Sequence, residues 1–420
     1  MNRINQRCCI VVVALVSCAG GAEELFADSE QKPTTGSFIP QSGQFPPAGT
    51  GTYLAGELVI VDPINRRGGL RLDGNGNAGR YAMGPIHYFA MLPYGTIHYC
   101  GAPAELRDIP VGTHLHGYFF LPPVGEEKTI PPVSEDKAKL IAPQNHALSL
   151  EDDFSFYQRQ DQAWKIESID GAPKYTVDIS LGTVTSGDVS SRGKLRVISS
   201  GGSVKDGITG RYTFEIDGAT RVWQGSRVTG LSALAPGQIV QLNLTWSPGW
   251  RDDEYCVADI WLDKSSRKIA SKLQQRRHIR YQRYHWLPGW IDAVEHKDTG
   301  GGVVTITLFA GMDPSLYSEF RRKGAKGIGV AVAEKTLRTW WHNNDKKYGE
   351  MVGWKEITDP PPGSSGYQIQ LRFRELLHGF RPHRIVRMQC RDWGYFRLPA
   401  EERLKTLEER DATATLGLPK

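Results

Sequence analysis

Four residues stand out for their chemistry: His98, Cys100, His114 and His116. In an extended strand, residues two apart project from the same face. His98-x-Cys100 and His114-x-His116 would each present a donor pair, and two neighbouring strands would bring three imidazoles and a thiolate to one point. Such a set suits zinc or copper. The same spacing fits plain alternation on a solvated strand face, with Ile97, Tyr99, Leu115 and Gly117 turned the other way, and no cofactor is then needed. Asp73-Gly74-Asn75-Gly76-Asn77 opens like a calcium loop, but Ala78 and Gly84 occupy the positions where glycine and a bidentate acid belong. It reads as a turn. The acid runs Glu151-Asp152-Asp153 and Asp252-Asp253-Glu254 read as solvated turns. The zinc-protease, nucleophile-elbow, phosphate-loop and dinucleotide signatures are missing, so the reading leans away from an enzyme.

A second feature is electrostatic. Residues 264–285 (KSSRKIASKLQQRRHIRYQRYH) hold eight Lys or Arg and no acid, in a chain whose net charge is only +5. The rest of the molecule is therefore mildly acidic. As a helix, this segment aligns Lys268, Lys272, Arg276 and Arg280 at successive i+4 positions, with Arg283 beside them. Asp263, Ser265 and Ser266 offer N-caps, and Pro288-Gly289 lies past the end. Like charges at i,i+4 repel by a few tenths of a kcal/mol per pair, so the row suits an anionic polysaccharide, an anionic lipid surface or an envelope protein. Nucleic acid is disfavoured for an exported chain. The bland alternative is a solvated connector helix neutralised by neighbouring acids.

The elements that must position these groups are mostly strands. Of 420 residues, 46 are Gly and 25 Pro, an excess that implies many turns. Short β-branched or aromatic runs recur between Gly, Pro and Asp-Gly signals from residue 52 onward. Helical patterns are confined to 264–283, a short stretch after Asp313-Pro314, and 399–410. A weak repeat orders the strands: Leu106/Ile109, Leu231/Leu234 and Leu377/Phe380. Val111-Gly112, Pro236-Gly237 and Pro382-His383 follow in turn, each before an alternating strand. One helical turn dropping two apolar residues onto a barrel end would explain it. The pattern resembles the segment before a strand in small OB-type barrels. That resemblance implies a mainly β chain of about three OB-like barrel units joined by a few helices, of a kind that binds oligosaccharides or oligonucleotides on one face.

The ends add a compartment. Arg3 and Arg7 precede an apolar run, Cys8 to Val16, that has the make-up of an export signal and is too short to span a membrane. Leu15-Val16-Ser17-Cys18 resembles the lipobox of bacterial lipoproteins, which would make Cys18 a lipidation site; cleavage near Ala22 or Ala27 is the alternative. Export follows, leaving the chain periplasmic, membrane-anchored by lipid, or extracellular. Cys100, Cys256 and Cys390 remain, allowing at most one disulfide.

The expected order is therefore a signal over 1–27 (or 1–17), a flexible tether 28–50, β unit 1 at 51–121 and a Pro-rich linker 122–147. β unit 2 at 148–262, the basic connector helix 263–285, β unit 3 at 286–398 and a C-terminal helix and tail 399–420 complete it. Dense tryptophan and tyrosine between 246 and 354 reads mainly as packing. The expected function is a non-catalytic envelope binding or scaffolding protein for a polyanionic or glycan partner. A metal-dependent or carboxylate hydrolase, or a structural assembly protein, are the rivals.

Overall fold

The computed structural model describes residues 38–63, 66–73, 86–121, 145–171, 176–178, 183–185, 193–201, 211–246, 255–298, 300–321, 326–332 and 346–393. Strands predominate and close into three small barrels. The first uses β1 (Thr52–Asp62), β2 (Arg67–Leu72), β3 (Ile86–Tyr99), β5 (His114–Phe120) and β6 (Asn145–Asp152), with the two-residue β4 (Ala102–Pro103) on its edge. Its order, β1-β2-β3-β6-β5 and back to β1, has one parallel pair, β3 with β6.

The second barrel repeats this with β7 (Gln162–Asp170), β10 (Gly193–Gly201), β11 (Arg211–Ile216), β14 (Ile239–Trp246) and β15 (Tyr255–Trp261). Here β11 and β15 are the parallel pair. The small strands β8 (Thr176–Asp178), β9 (Thr183–Thr185), β12 (Arg221–Gln224) and β13 (Arg227–Thr229) are accessory. Both barrels thus have the five-strand order of an OB barrel. The third closes six strands, all antiparallel: β16 (Leu287–His296), β17 (Gly302–Phe309), β20 (Ser364–Phe373), β19 (Lys346–Glu356), β18 (Lys326–Val332) and β21 (Ile385–Gln389). Each barrel is filled by its own apolar side chains, for example Leu58, Phe89 and Leu115 in the first, Trp164, Leu195 and Leu242 in the second, and Ile306, Val330 and Leu371 in the third.

The weak sequence repeat corresponds to one backbone device built three times. The second apolar residue of each pair donates its N–H to the carbonyl of the first: Ile109 to Leu106 (3.4 Å), Leu234 to Leu231 (3.1 Å) and Phe380 to Leu377 (2.9 Å). Three residues after it, Gly112, Gly237 and His383 all adopt positive φ (+95°, +88° and +65°). Their N–H groups bond the carbonyls of Leu58, Ile166 and Ile291 in the first strand of each barrel, at 2.7, 2.8 and 2.7 Å. Those same three residues donate in return to Thr113, Gln238 and Arg384. Directly after each of them the first strand carries a one-residue register shift, the bulge that bends a strand so it can serve two neighbours. His383 therefore keeps the geometry that glycine holds in the other two units. A Cβ at Gly237 would meet nothing within 4 Å, so Gly237→Ala isolates the backbone term. It is expected to cost about 1–2 kcal/mol, read as a lower urea midpoint at unchanged slope; no shift would show that the turn does not require the left-handed conformation.

Three α-helices stand among the described residues. α1 (Asp153–Arg159) sits between the first and second. α2 (Lys264–His285) leads from the second to the third, and α3 (Pro314–Phe320) packs on the third. Asp263 caps α2, accepting from Ser266 N at 2.7 Å. The helix docks through polar residues: Ser266, Gln274, His278, Gln282 and His285 are its buried ones. Gln274 donates to Pro103 O and Asp108 Oδ2, Gln282 to Glu105 Oε1, and Ser271 to Cys100 O, all in the first barrel. Gly225 N of the second barrel donates to Ser266 Oγ, and Gln275 reaches Asp313 at the start of α3. One helix thus holds all three barrels.

Several expected boundaries move. The first barrel is completed by β6, so unit 1 does not end at 121, and residues 145–147 of the expected linker are strand. OB closure requires a fifth strand that returns beside the third, and the Pro-rich stretch conceals its start. Residues 38–50, expected as tether, pack between the first and third barrels. Phe45 lies against Trp290 (4.1 Å between ring centroids), Tyr94 and Phe309, and Ser42 donates to His383 O. The export leader with Cys18, residues 122–144, the acid run 252–254, Trp250, Trp340, Trp341 and the expected helix 399–410 lie outside the described residues. No helix among the described residues is long and apolar enough to cross a membrane.

Candidate functional site

The strand order decides what the four sequence-flagged donors do. β6 lies between β3 and β5, with Glu151 opposite both His98 and His116. His98 is consequently two strands from His116, half exposed, and 3.9 Å from Glu151. Cys100 follows the end of β3 at positive φ and is buried against Phe154 and Trp261. Its N–H donates to Asp152 Oδ2. Burial pushes its thiol well above the ordinary range, reinforced by Asp152 and Asp259, the opposite of what a thiolate ligand requires. The four-residue set does not assemble. Cys100, Cys256 and Cys390 are each buried and form no disulfide.

His114 and His116 do converge, on a residue read from sequence as part of a solvated turn. They leave the outer face of the first barrel where the second packs on it, and are 0% and 2% exposed. Asp153, the first residue of α1, is 1% exposed. Its Oδ1 accepts from His114 Nδ1 at 2.8 Å and His116 Nε2 at 2.9 Å, and its Oδ2 accepts from Leu244 N of β14. Outer partners hold both rings. His114 Nε2 donates to Asp73 Oδ2 at 3.1 Å, and Asp73 also accepts from the Tyr255 hydroxyl. His116 Nδ1 faces Tyr53 Oη at 2.7 Å, and its ring stacks on Phe156 (3.8 Å, 6°).

The electrostatics follow from this wiring. Burial pulls the His114 pKa down, but Asp153 and Asp73 at its two nitrogens outweigh that and carry it up to about 10. His116 moves the other way, lowered by burial with the charge of His114 adding to it, and stays neutral. Burial would raise Asp153 and Asp73, yet the His114 charge and the hydrogen bonds hold both below the ordinary carboxylate range. Next in sequence, Asp152 caps α1 through Ser155 N and also accepts from Cys100 N and Asn243 Nδ2. Its pKa is pushed up to about 6 by burial, against those bonds.

Sequence reasoning missed Asp153, Asp73, Tyr53 and Tyr255. One signal was present for Asp153: acids immediately before Phe154-Ser155-Phe156-Tyr157 match a helix start as well as a turn.

The basic row divides. Lys268, Lys272 and Arg276 are exposed, and none is ion-paired among the described residues. Arg283 is bound to Glu319 at 2.5 Å, and Arg280 is half-buried and partnered. Arg277 and Lys264 are also exposed. The expected five-residue stripe is thus an exposed three-residue row whose C-terminal end turns into the protein. Trp261, Trp286 and Trp290 are buried, so most of the described tryptophans of that aromatic-rich region serve packing.

Comparison of the chain with protein families, with curated proteins and with solved structures finds no match.

Proposed function

We propose that the protein is a non-catalytic three-barrel scaffold that holds a soluble polyanionic chain, such as an acidic polysaccharide, along the solvent side of α2 at the cell envelope. The observation that carries this reading is the division of α2 into two faces. Its inner face is spent on hydrogen bonds to all three barrels, while Lys268, Lys272 and Arg276 stand exposed without acids. Their Cα atoms step about 6 Å along a straight rod, a spacing that a linear polyanion can follow. Leu273 is the one large apolar residue exposed on the helix, at 54%, too little to insert into a bilayer, which disfavours a lipid surface. The placement at the envelope rests on the apolar run Cys8 to Val16.

Dextran sulfate tests this, with neutral dextran as control. Wild-type protein is expected to bind with a log–log salt slope of about −2 to −3, the value for releasing the counterions of three neutralised charges. The variant Lys268→Glu/Lys272→Glu/Arg276→Glu, folded by circular dichroism, is expected to lose binding. Equal retention of both proteins, or binding to anionic vesicles without binding to dextran sulfate, overturns the proposal.

A further inference from the structure

We infer that His114, His116 and Asp153 form a site for one divalent first-row metal ion of the zinc type, clamping the junction of the first and second barrels. One donor atom from each residue, two imidazole nitrogens and a carboxylate oxygen, lies within 4.8 Å of the others. About 3.4 Å separates ligand atoms around a tetrahedral zinc with bonds near 2.0–2.1 Å, so side-chain shifts of about 1 Å bring these three donors into range. Both hydrogen bonds, His114 Nδ1 at 2.8 Å and His116 Nε2 at 2.9 Å, already converge on the same oxygen, Asp153 Oδ1.

The outer partners are those a metal site needs. Ligating imidazoles nearly always donate their other N–H to a carboxylate, a carbonyl or another oxygen, which sets the tautomer. Coordination through Nδ1 leaves the Nε2–H of His114 on Asp73 Oδ2. Coordination through Nε2 places the His116 proton on Nδ1, where the Tyr53 oxygen accepts it. Asp153 keeps its second oxygen on Leu244 N. Two neutral imidazoles and the carboxylates of Asp153 and Asp73 carry a charge of −2, which a divalent ion cancels among three buried ligands. Three side chains leave the fourth position of a tetrahedral zinc to a water molecule, and the burial of all three keeps substrate away from it, so the ion would serve to hold the two barrels together.

The test is a zinc titration of the full chain after chelator treatment and dialysis. One zinc per chain is expected, with a rise in Tm of several degrees. Cobalt(II) in its place is expected to give the visible absorption of a tetrahedral nitrogen–oxygen site. His116→Gln is expected to abolish that absorption, whereas His98→Ala, two strands away, is expected to keep it. Zinc well below one equivalent on the wild type overturns the site by itself, even if His116→Gln fails to fold. Loss of the cobalt signal in His98→Ala, or its persistence in His116→Gln, overturns the ligand assignment. None of these readouts depends on polyanion binding.

Discussion

Asp153→Ala in the metal-free protein is expected to lower the free energy of unfolding by about 3–5 kcal/mol, the range for removing one partner of a buried ion pair. The side chain is fully enclosed, and three donors lose their acceptor at once: His114 Nδ1, His116 Nε2 and Leu244 N. The positive charge of His114 would then face Asp73 alone, and the backbone N–H of Leu244 would have no substitute inside the junction. Whole domains are stable by only about 5–15 kcal/mol, so the loss is large enough to uncouple the first two barrels. Asp153→Asn is roughly isosteric and keeps one of the two acceptor oxygens, so it is expected to fall between wild type and alanine. Urea unfolding followed by tryptophan fluorescence measures both. A cost below about 1 kcal/mol for Asp153→Ala would mean that water enters the junction and that the network does not bind the barrels together.

That network illustrates which parts of the molecule were legible beforehand. Local signals translated well. Asp263 followed by Ser266 marked the start of α2, Asp313-Pro314 marked α3, and the Leu-x-x-apolar turns marked the entry to the strand that pairs with the first strand of each barrel. Spacing within a strand also held, because His114 and His116 do share a face. Strand neighbours are a different matter, being set by chain closure over long separations. β6 reaches its place between β3 and β5 only after the Pro-rich stretch, and its insertion is what keeps His98 from His116.

Burial of polar residues was equally hidden. Pattern reading takes charged and amide side chains as solvent-facing, so Asp152 and Asp153 read as part of a solvated turn, and nothing in the basic segment marks Gln274, His278 or Gln282 as buried. Each is buried because hydrogen-bonding groups of a neighbouring element meet it there. Those groups are as distant in sequence as Asn243 is from Asp152 and Glu105 is from Gln282. The same reasoning divides the basic row: Arg283 pairs with Glu319, an acid that only the packing of α3 brings near.

The polar face of α2 has a pH consequence centred on His278. The ring is fully buried, and its Nε2 accepts from Asp313 N at 3.3 Å, which places the proton on Nδ1. Protonation would turn that acceptor into a donor aimed at another N–H. Burial lowers the pKa to about 4, against the attraction of Glu105 and Asp313 and with a small repulsion from His98. The unfolded chain takes up this proton near pH 6.5 and the folded chain only near pH 4, so the stabilisation is complete above 6.5 and drains away as pH falls toward 4. About 2.5 pH units at 1.36 kcal/mol each make this a loss of ~3 kcal/mol. His87, also lowered to about 4 by burial, adds in the same direction. Urea midpoints at pH 7 and pH 4.5 are therefore expected to differ strongly in the wild type. In His278→Gln, where no proton is taken up at this position, the difference is expected to shrink by up to about half, although the variant starts less stable at pH 7. An unchanged pH dependence in that variant would place the acid sensitivity elsewhere, and α2 would then be held without regard to the charge of His278.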